Sequence, residues 1–400
     1  MANILYISHT GMTEALGRSQ VLEYLMDLSK QNKIYLISFE REGDLEFIDE
    51  IKALVVEHGI EWHYMVYSNK YGIASTLWQI IKTIVIGSKL IRNHSLAIIH
   101  ARSMVAAVIG YILKKFHGVK LLFDIRGFAM DEKVDHGRLK LNSLLYRTLK
   151  KIENNLYKKS DHVVTLTLSA KQIMFNELQI AENKISIIPT CANNQVFRIT
   201  PEIETQKFKN KSGFNDESKI IIHTGTVLNR YDFNKEVELF KRINELDSSY
   251  KFLILNQGEH NYIKSKFIEY DVPIDSYKIF ESKFTQVYKY LNISDFSLFF
   301  IPPTYAKLAM APTKFAENVI CHLPSISNIG VGDMKEHIEN YDVGILIDLN
   351  KLNIEELANK IISTSKHDFI ASEFDKLFHD KFDKNKAVKK YNEIYRMLSE

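Results

Sequence analysis

The chain has 400 residues, 46% hydrophobic and 25% charged, with a formal net charge of +3 at pH 7. That length exceeds one ordinary core and suits two domains of roughly 150–200 residues each, while the near balance of charge excludes a bulk basic field for nucleic acid. Two cysteines, Cys191 and Cys321, are too few for a disulfide framework or a thiolate metal site and fit a reducing compartment.

The chain opens on an apolar run, Asn3–Ser8, too short for a signal peptide and without a basic leader, so it reads as a first strand and places the protein in the cytoplasm. Gly17 closes the loop after it, where a missing side chain lets backbone approach a ligand, and Arg18 and Ser19 open the next helix. Further strands read at Lys33–Phe39, Ile60–Val66, Ala97–His100, Lys120–Asp124, His162–Leu166 and Lys184–Ile188, separated by helical periodicity. This alternation predicts a parallel sheet with helices on both faces. Residues 193–218 turn polar and read as a linker. A second alternation follows, with strands at Ile220–His223, Lys251–Leu255, Tyr277–Phe280, Phe296–Ile301, Ser325–Ser327 and Gly344–Ile347. The pattern predicts two Rossmann-like α/β domains with parallel sheets facing each other across a cleft: 1–192, a linker 193–218, 219–375, and a closing segment 376–400.

Two stretches bear on surfaces. The helix Ile73–Arg92 carries apolar residues from Ile73 and Leu77 to Leu90 around a face wider than one sheet needs, with Lys82, Lys89 and Arg92 nearby. It reads either as a membrane-interface helix or as one packed on both a sheet and a neighbour. Arg138, Lys140, Arg147, Lys150, Lys151, Lys158 and Lys159 crowd another helical stretch, which suits anionic headgroups or a solvated face. No segment offers the roughly 18 consecutive apolar residues of a membrane span.

The densest chemical signal is Ala311-Pro312-Thr313-Lys314-Phe315-Ala316-Glu317-Asn318 between two strands. A helix starting there begins at the carboxyl edge of a parallel sheet, where open α/β proteins bind ligands. Pro312 suits the first helical position, which puts Lys314 in the first turn, at the end of the helix dipole that disfavours a cation. An anion removes that conflict, with Glu317 on the same face free to hold hydroxyls beside it. The alternative is a plain Lys–Glu surface pair.

Pro-Thr-Lys-Phe-Ala-Glu-Asn-Val-Ile-Cys-His-Leu-Pro resembles the donor-site helix of family 4 glycosyltransferases of the two-domain GT-B fold. Leu16-Gly17-Arg18-Ser19-Gln20-Val21, Ile98-Ile99-His100-Ala101-Arg102-Ser103 and Ile187-Ile188-Pro189 agree with it in order and spacing. The resemblance implies a retaining glycosyltransferase that takes a nucleotide-sugar as substrate, uses no cofactor and no metal, and serves a glycan or lipid-linked glycan acceptor in cell-surface polysaccharide biosynthesis. It implies donor binding by Gly17, Arg230, Lys314 and Glu317, peripheral contact with the inner face of the cell membrane, and a closing segment 376–400 whose helix returns to the first domain. Departures are plain. The Lys-Gly that ends the family's diphosphate loop is replaced near Arg230 by Asp232-Phe233, and the first glutamate of the family's paired motif falls on Ala309. That loss permits a nearby residue such as Lys307 or Tyr305 to take over contacts to the sugar.

On the first domain, His100 ends a strand at the cleft edge, and Asp124 and Arg126 end the next; these three are the catalytic candidates. A packing histidine and an Asp–Arg pair are the alternatives. The same fold hosts nucleotide-sugar epimerases, and a non-catalytic sensor or scaffold would also carry this pattern. No Gly-x-Gly-x-x-Gly, His-Glu-x-x-His or Gly-Lys-Ser/Thr loop follows any strand, which excludes dinucleotide, zincin and P-loop chemistry.

Overall fold

A computed structural model describes residues 2–68, 70, 72–228 and 230–400. The side chains of Ala15 and of Ile73, the first apolar residue of the expected interface helix, also lie outside the described residues. The chain divides into two compact units, Met1–Pro189 with Lys384–Glu400, and Thr190–Asp383.

The first unit runs β1 (Asn3–Ser8), α1 (Ala15–Gly17), α2 (Glu23–Leu28), β2 (Lys33–Glu40), α3 (Ile48–Glu57), β3 (Glu61–Val66), α4 (Ile73–His94), β4 (Ile98–Arg102), α5 (Met104–His117), β5 (Lys120–Asp124), α6 (Ala129–Asp135), α7 (Leu144–Lys159), β6 (His162–Thr165), α8 (Leu168–Asn176) and β7 (Ile185–Ile187). Its seven strands lie in the order β3-β2-β1-β4-β5-β6-β7, all parallel. Both faces of the central strands are covered, so β1 and β5 carry the unbroken apolar runs Ile4–Ile7 and Leu121–Phe123 rather than alternating ones, and β4 is buried along its whole length. Right-handed crossovers place α4, α5 and α7 together on one face, and α4 and α7 both pack against α5.

The second unit runs α9 (Glu202–Lys211), β8 (Lys219–Thr224), α10 (Phe233–Leu246), β9 (Tyr250–Leu255), α11 (His260–Glu269), β10 (Tyr277–Phe280), α12 (Val287–Asn292), β11 (Phe296–Leu298), α13 (Thr313–Ile320), β12 (Ser325–Asn328), α14 (Met334–Tyr341), β13 (Gly344–Ile347), α15 (Ile354–Ser363) and α16 (Ala371–Leu377). Its six parallel strands take the order β10-β9-β8-β11-β12-β13. The chain is thus two Rossmann-like α/β domains. A core of Phe233, Phe240, Phe252, Phe267 and Phe296 packs one face of this sheet.

Three features differ from the reading of the sequence. The polar stretch 193–218 is part of the second unit and holds α9, whose first turn carries Glu202 and Glu204 as suits a helix N-terminus. The closing segment divides within 376–400: α16 stays with the second unit, and only α17 (Lys384–Ser399) joins the first, where Lys384 pairs with Glu23 and Asp27. The strand expected at Phe296–Ile301 ends regular pairing at Leu298, because side chains take over the ladder beyond it. Glu236 accepts the N–H of Phe300 at 2.9 Å, and Asn328 both accepts from Ile301 N and donates to Ile301 O at 2.8 Å.

Candidate functional site

In the second unit the loop after β11 delivers the chain to α13. Pro312, expected at the first helical position, is instead the N-cap with φ −64° and ψ 119°, so Thr313 opens the helix and Lys314 remains in its first turn. Apolar neighbours at Phe315, Ala316 and Val319 hold this turn against the core formed with Phe299, Val331 and Met334. Lys314 is therefore not at the surface: it is 8% exposed, and its Nζ has no hydrogen-bond partner among the described residues. The ammonium instead sits 3.8 Å from the centre of the Tyr231 ring and 5.4 Å from that of Phe299. A buried cation over an aromatic face gains about 2 kcal/mol, far less than desolvating an ammonium without a partner costs.

Titration carries the same message. Burial pushes Lys314 down to about 7, against the pull of Glu236 and then of Glu317. Burial pushes half-buried Glu317 up to about 7, against the pull of Lys314. Burial thus works against the charged form of both groups. A dianion at the start of α13 would hold Lys314 charged and complete its bonding.

His223 and Glu236 form a buried, hydrogen-bonded base beneath this region. His223, at the carboxyl end of β8, pairs with Glu236 at 2.7 Å through Nδ1 and meets Thr226 O at 3.1 Å through Nε2. Glu236, 0% exposed, braces both His223 and the Phe300 amide, and so ties β8, α10 and the loop before α13 together. Tyr231 packs edge-on against His223, and burial drives its phenol well above the usual range. Glu259 accepts Thr226 Oγ1 at 2.6 Å, Val227 N at 2.8 Å and Asn256 Nδ2 at 2.8 Å. Burial raises its carboxyl, but those hydrogen bonds outweigh it and hold Glu259 below the ordinary range. Gly330 has φ +83°, and a Cβ there would stand 2.7 Å from Pro303 Cβ, so the loops after β11 and β12 touch only through glycine.

The structure brings Lys314, Glu317 and Tyr231 together and leaves Arg230 exposed beside Tyr231 in sequence. Ala309 is 0% exposed and Lys307 5% exposed in the turn before α13. Sequence reasoning missed Tyr231, His223, Glu236 and Asn328. One signal was readable: Glu236 occupies a core position in the stripe Phe233, Val237, Phe240 and Ile243, where an unpaired carboxylate would not survive.

In the first unit His100 lies in the middle of β4, not at its end, with Arg102 as the last residue. His100 and Asp124 are 1% and 0% exposed. Asp124 stands 3.2 Å from Arg102, 3.6 Å from Arg126, 3.6 Å from His100 Nε2, and accepts a hydrogen bond from Tyr391 OH at 3.2 Å. His100 Nδ1 meets Tyr395 OH at 2.7 Å, and the His100 ring lies 4.3 Å from that of Tyr6. Burial raises the Asp124 carboxyl, but Arg126, the His100 hydrogen bond and Arg102 together hold it far below the usual range. Burial keeps His100 below its ordinary value. The three residues are brought together, yet α17 seals His100 and Asp124 with its tyrosines, and Arg126 alone remains half-buried. The cluster fastens the closing helix to the sheet, which corresponds to the packing alternative for His100.

Gly17 is required by the protein's own backbone: a Cβ there would fall 1.8 Å from Gly11 O. The loop it touches is held by Glu40, whose carboxylate accepts Met12 N, Thr13 N and Thr13 Oγ1 at 2.7–3.0 Å. Arg18 is pinned to Glu50 at 3.0 Å. Among the described residues no group of three or more His, Cys, Asp or Glu side chains is placed to hold a metal ion.

Two family descriptions match consecutive parts of the chain: Glycosyltransferase Family 4 over residues 21–195, and Glycosyl transferases group 1 over residues 204–387. Comparison with curated proteins gives no match. Among solved structures, the chain is similar to a glycosyltransferase from Rickettsia africae, at 18% identity and TM-score 0.72, covering 100% of this chain and 99% of that one. It is similar to HepE from Anabaena in complex with UDP and glucose, at 14% identity and TM-score 0.72, covering 99% and 100%. It is also similar to sucrose-phosphate synthase from Thermosynechococcus elongatus, at 12% identity and TM-score 0.73, covering 100% and 99%. At these identities the likenesses show the fold.

Proposed function

This chain belongs to the family 4-like glycosyltransferases of the GT-B fold, and from that premise we propose that it moves a sugar from a nucleotide-sugar donor to a glycan or lipid-linked glycan. We infer retention of configuration, independence from metal and cofactor, and a place in cell-surface polysaccharide assembly at the inner face of the membrane. The observation that carries the donor half is Lys314, a buried cation with no hydrogen-bond partner among the described residues, in the first helical turn at the carboxyl edge of a parallel sheet. Lys314 faces the donor diphosphate, whose charge grows as the glycosidic bond to the sugar breaks, so a preorganised cation there acts on rate. Glu317, one turn further on, accepts ribose hydroxyls. Arg230 reaches the diphosphate from the loop after β8, and Gly17 supports the binding loop of the first domain. Arg126, half-buried at the end of β5, is the group of the first-domain cluster that contacts substrate, while His100 and Asp124 position it from beneath.

The test is a panel of nucleotide-sugars, UDP-glucose among them, incubated with the protein with and without a lipid-linked glycan. The expected outcome is acceptor-dependent release of nucleoside diphosphate, unaffected by chelator, with the new bond keeping the donor's anomeric configuration. Interconversion of the nucleotide-sugar without acceptor would identify an epimerase, and binding without turnover of any donor would identify a sensor.

A further inference from the structure

A second concave site lies in the first unit, at the edge of its sheet. A cavity of about 460 Å³ opens between α3 and β3, lined among others by Lys33, Lys52, Glu61, Trp62 and Tyr64. β3 pairs only with β2, so no further strand covers this side. Trp62 and Tyr64 stand two apart and share one face of the strand. Their ring centres lie 5.0 Å apart with the planes tilted by 39°, and Lys52 Nζ stands 5.6 Å from the centre of the Tyr64 ring. The size of the cavity, its aromatic floor and its few polar groups match a small-ligand site.

Trp62 is fixed in place from beneath. Its indole N–H donates to Ser38 Oγ at 2.8 Å, and the Ser38 hydroxyl donates to Glu40. Ser38 and Glu40 are both buried, and Glu40 is the carboxylate that also holds Met12 and Thr13. The one polar atom of the indole is thus satisfied inside the protein, which leaves its carbon atoms to line the cavity. A ring held this way loses little freedom when a ligand covers it. The charged groups of the rim are already engaged: Lys33 Nζ donates to Gly59 O at 3.3 Å, Lys52 stands 3.5 Å from Asp49, and His63 meets Glu61 at 2.9 Å. They offer a hydroxyl partners of both senses, donor and acceptor, and no uncompensated charge to draw a phosphate.

We propose that this cavity binds a pyranose ring of a neutral glycan, with the C–H face of the sugar on Trp62 and Tyr64 and its hydroxyls meeting Lys33, Lys52 and Glu61. Two rings tilted by 39° form a shallow hollow, which a puckered sugar covers more fully than a flat base does. Sugar hydroxyls both donate and accept, as a rim of ammonium and carboxylate groups requires. A nucleotide would bring its phosphates against Glu61, and a peptide strand added to β3 would pair with backbone and leave the rings uncovered. This cavity is separate from the groups assigned to transfer in the same unit. Lys33 and Glu61 open β2 and β3 at the amino edge of the sheet, whereas Gly17 and Arg126 stand beyond the carboxyl ends of β1 and β5. Glycan binding here is therefore independent of whether the chain transfers sugar.

Trp62 and Trp78 are the two tryptophans of the chain, so in a Trp78→Phe background the indole emission reports on Trp62 alone. The experiment is titration of that full-length protein with cellopentaose, maltopentaose and chitopentaose, each with and without saturating UDP. A shallow site that covers one face of a sugar is expected to hold it with a dissociation constant of ~1 mM. Trp62 emission is expected to change saturably with at least one of these glycans, equally in the presence and absence of UDP. Tyr64→Ala, which removes one ring of the floor, should weaken that binding about tenfold, and Tyr64→Phe should retain it. Tyr64 is 37% exposed, so melting curves of both variants are expected to match that of the parent. No change of emission with any of the glycans up to ~10 mM, a change that UDP alone reproduces or that UDP abolishes, or binding that Tyr64→Ala leaves undiminished would overturn the proposal.

Discussion

Replacing Lys314 with methionine keeps the length of the side chain and removes its charge, so it separates what that charge costs the empty protein from what it does for the reaction. Lowering the ammonium from its ordinary 10.5 to about 7 corresponds to ~5 kcal/mol at 1.36 kcal/mol per unit. The contact with Tyr231 returns about 2 kcal/mol of that, leaving ~3 kcal/mol that Lys314→Met is expected to gain without ligand. Because the folded pKa lies below the unfolded one, the unfolded chain binds the extra proton between about 7 and 10.5. The cost to the wild type is therefore complete below about 7 and fades as pH rises toward 10.5. Thermal unfolding of the ligand-free proteins at pH 6, 8 and 10 is expected to place the variant roughly 6–12 °C higher at pH 6, with the gap closing by pH 10. Steady-state transfer should fall about a hundredfold, the ~3 kcal/mol typical of one lost transition-state donor. A variant that melts lower than the wild type at pH 6 and turns over normally would refute the reasoning and leave Lys314 as a packing residue.

Glu317→Gln is expected to weaken nucleoside diphosphate binding by roughly tenfold in calorimetry, about 1.4 kcal/mol, while raising stability above neutral pH. Its folded pKa, about 7, exceeds the unfolded 4.5, so the wild type loses stability as pH rises through that window and the amide variant does not; unchanged affinity would remove Glu317 from the donor site. Asp124→Asn should cost about 3–5 kcal/mol in denaturant unfolding at pH 7, because it strands Arg102 in a closed cluster. The Asp124 carboxyl is depressed, so its contribution is present above the unfolded value of 3.8 and fades below it, and the two proteins should converge in acid; a cost that grows as pH falls would contradict this. Tyr395→Phe should cost about 1–2 kcal/mol by leaving His100 Nδ1 unbonded, with turnover little changed; a large loss of turnover at unchanged stability would return His100 to a direct catalytic role. Transfer should survive EDTA, and complete, reversible loss of activity in chelator would show a required metal.

The alternation of short apolar runs with helical periodicity was enough to determine two parallel α/β domains, because a strand covered on both faces must be apolar throughout, as Ile4–Ile7 and Ile220–Ile222 are. The Pro-Thr-Lys-Phe-Ala-Glu run marked α13 and its two charged residues for the same local reason: capping and dipole preferences act within one turn. What the sequence left open depends on which residues meet across tens or hundreds of positions. That Lys314 is buried rests on Tyr231 closing over it, and that His100 and Asp124 are sealed rests on Tyr391 and Tyr395 arriving from the far end of the chain. Whether α4 turned its apolar residues to the sheet or to solvent could not be read from periodicity either, since the period shows that a helix has faces and not which neighbour covers each one. Only tertiary structure, by satisfying Gln79 and Thr83 inside, decided that Trp78 points out.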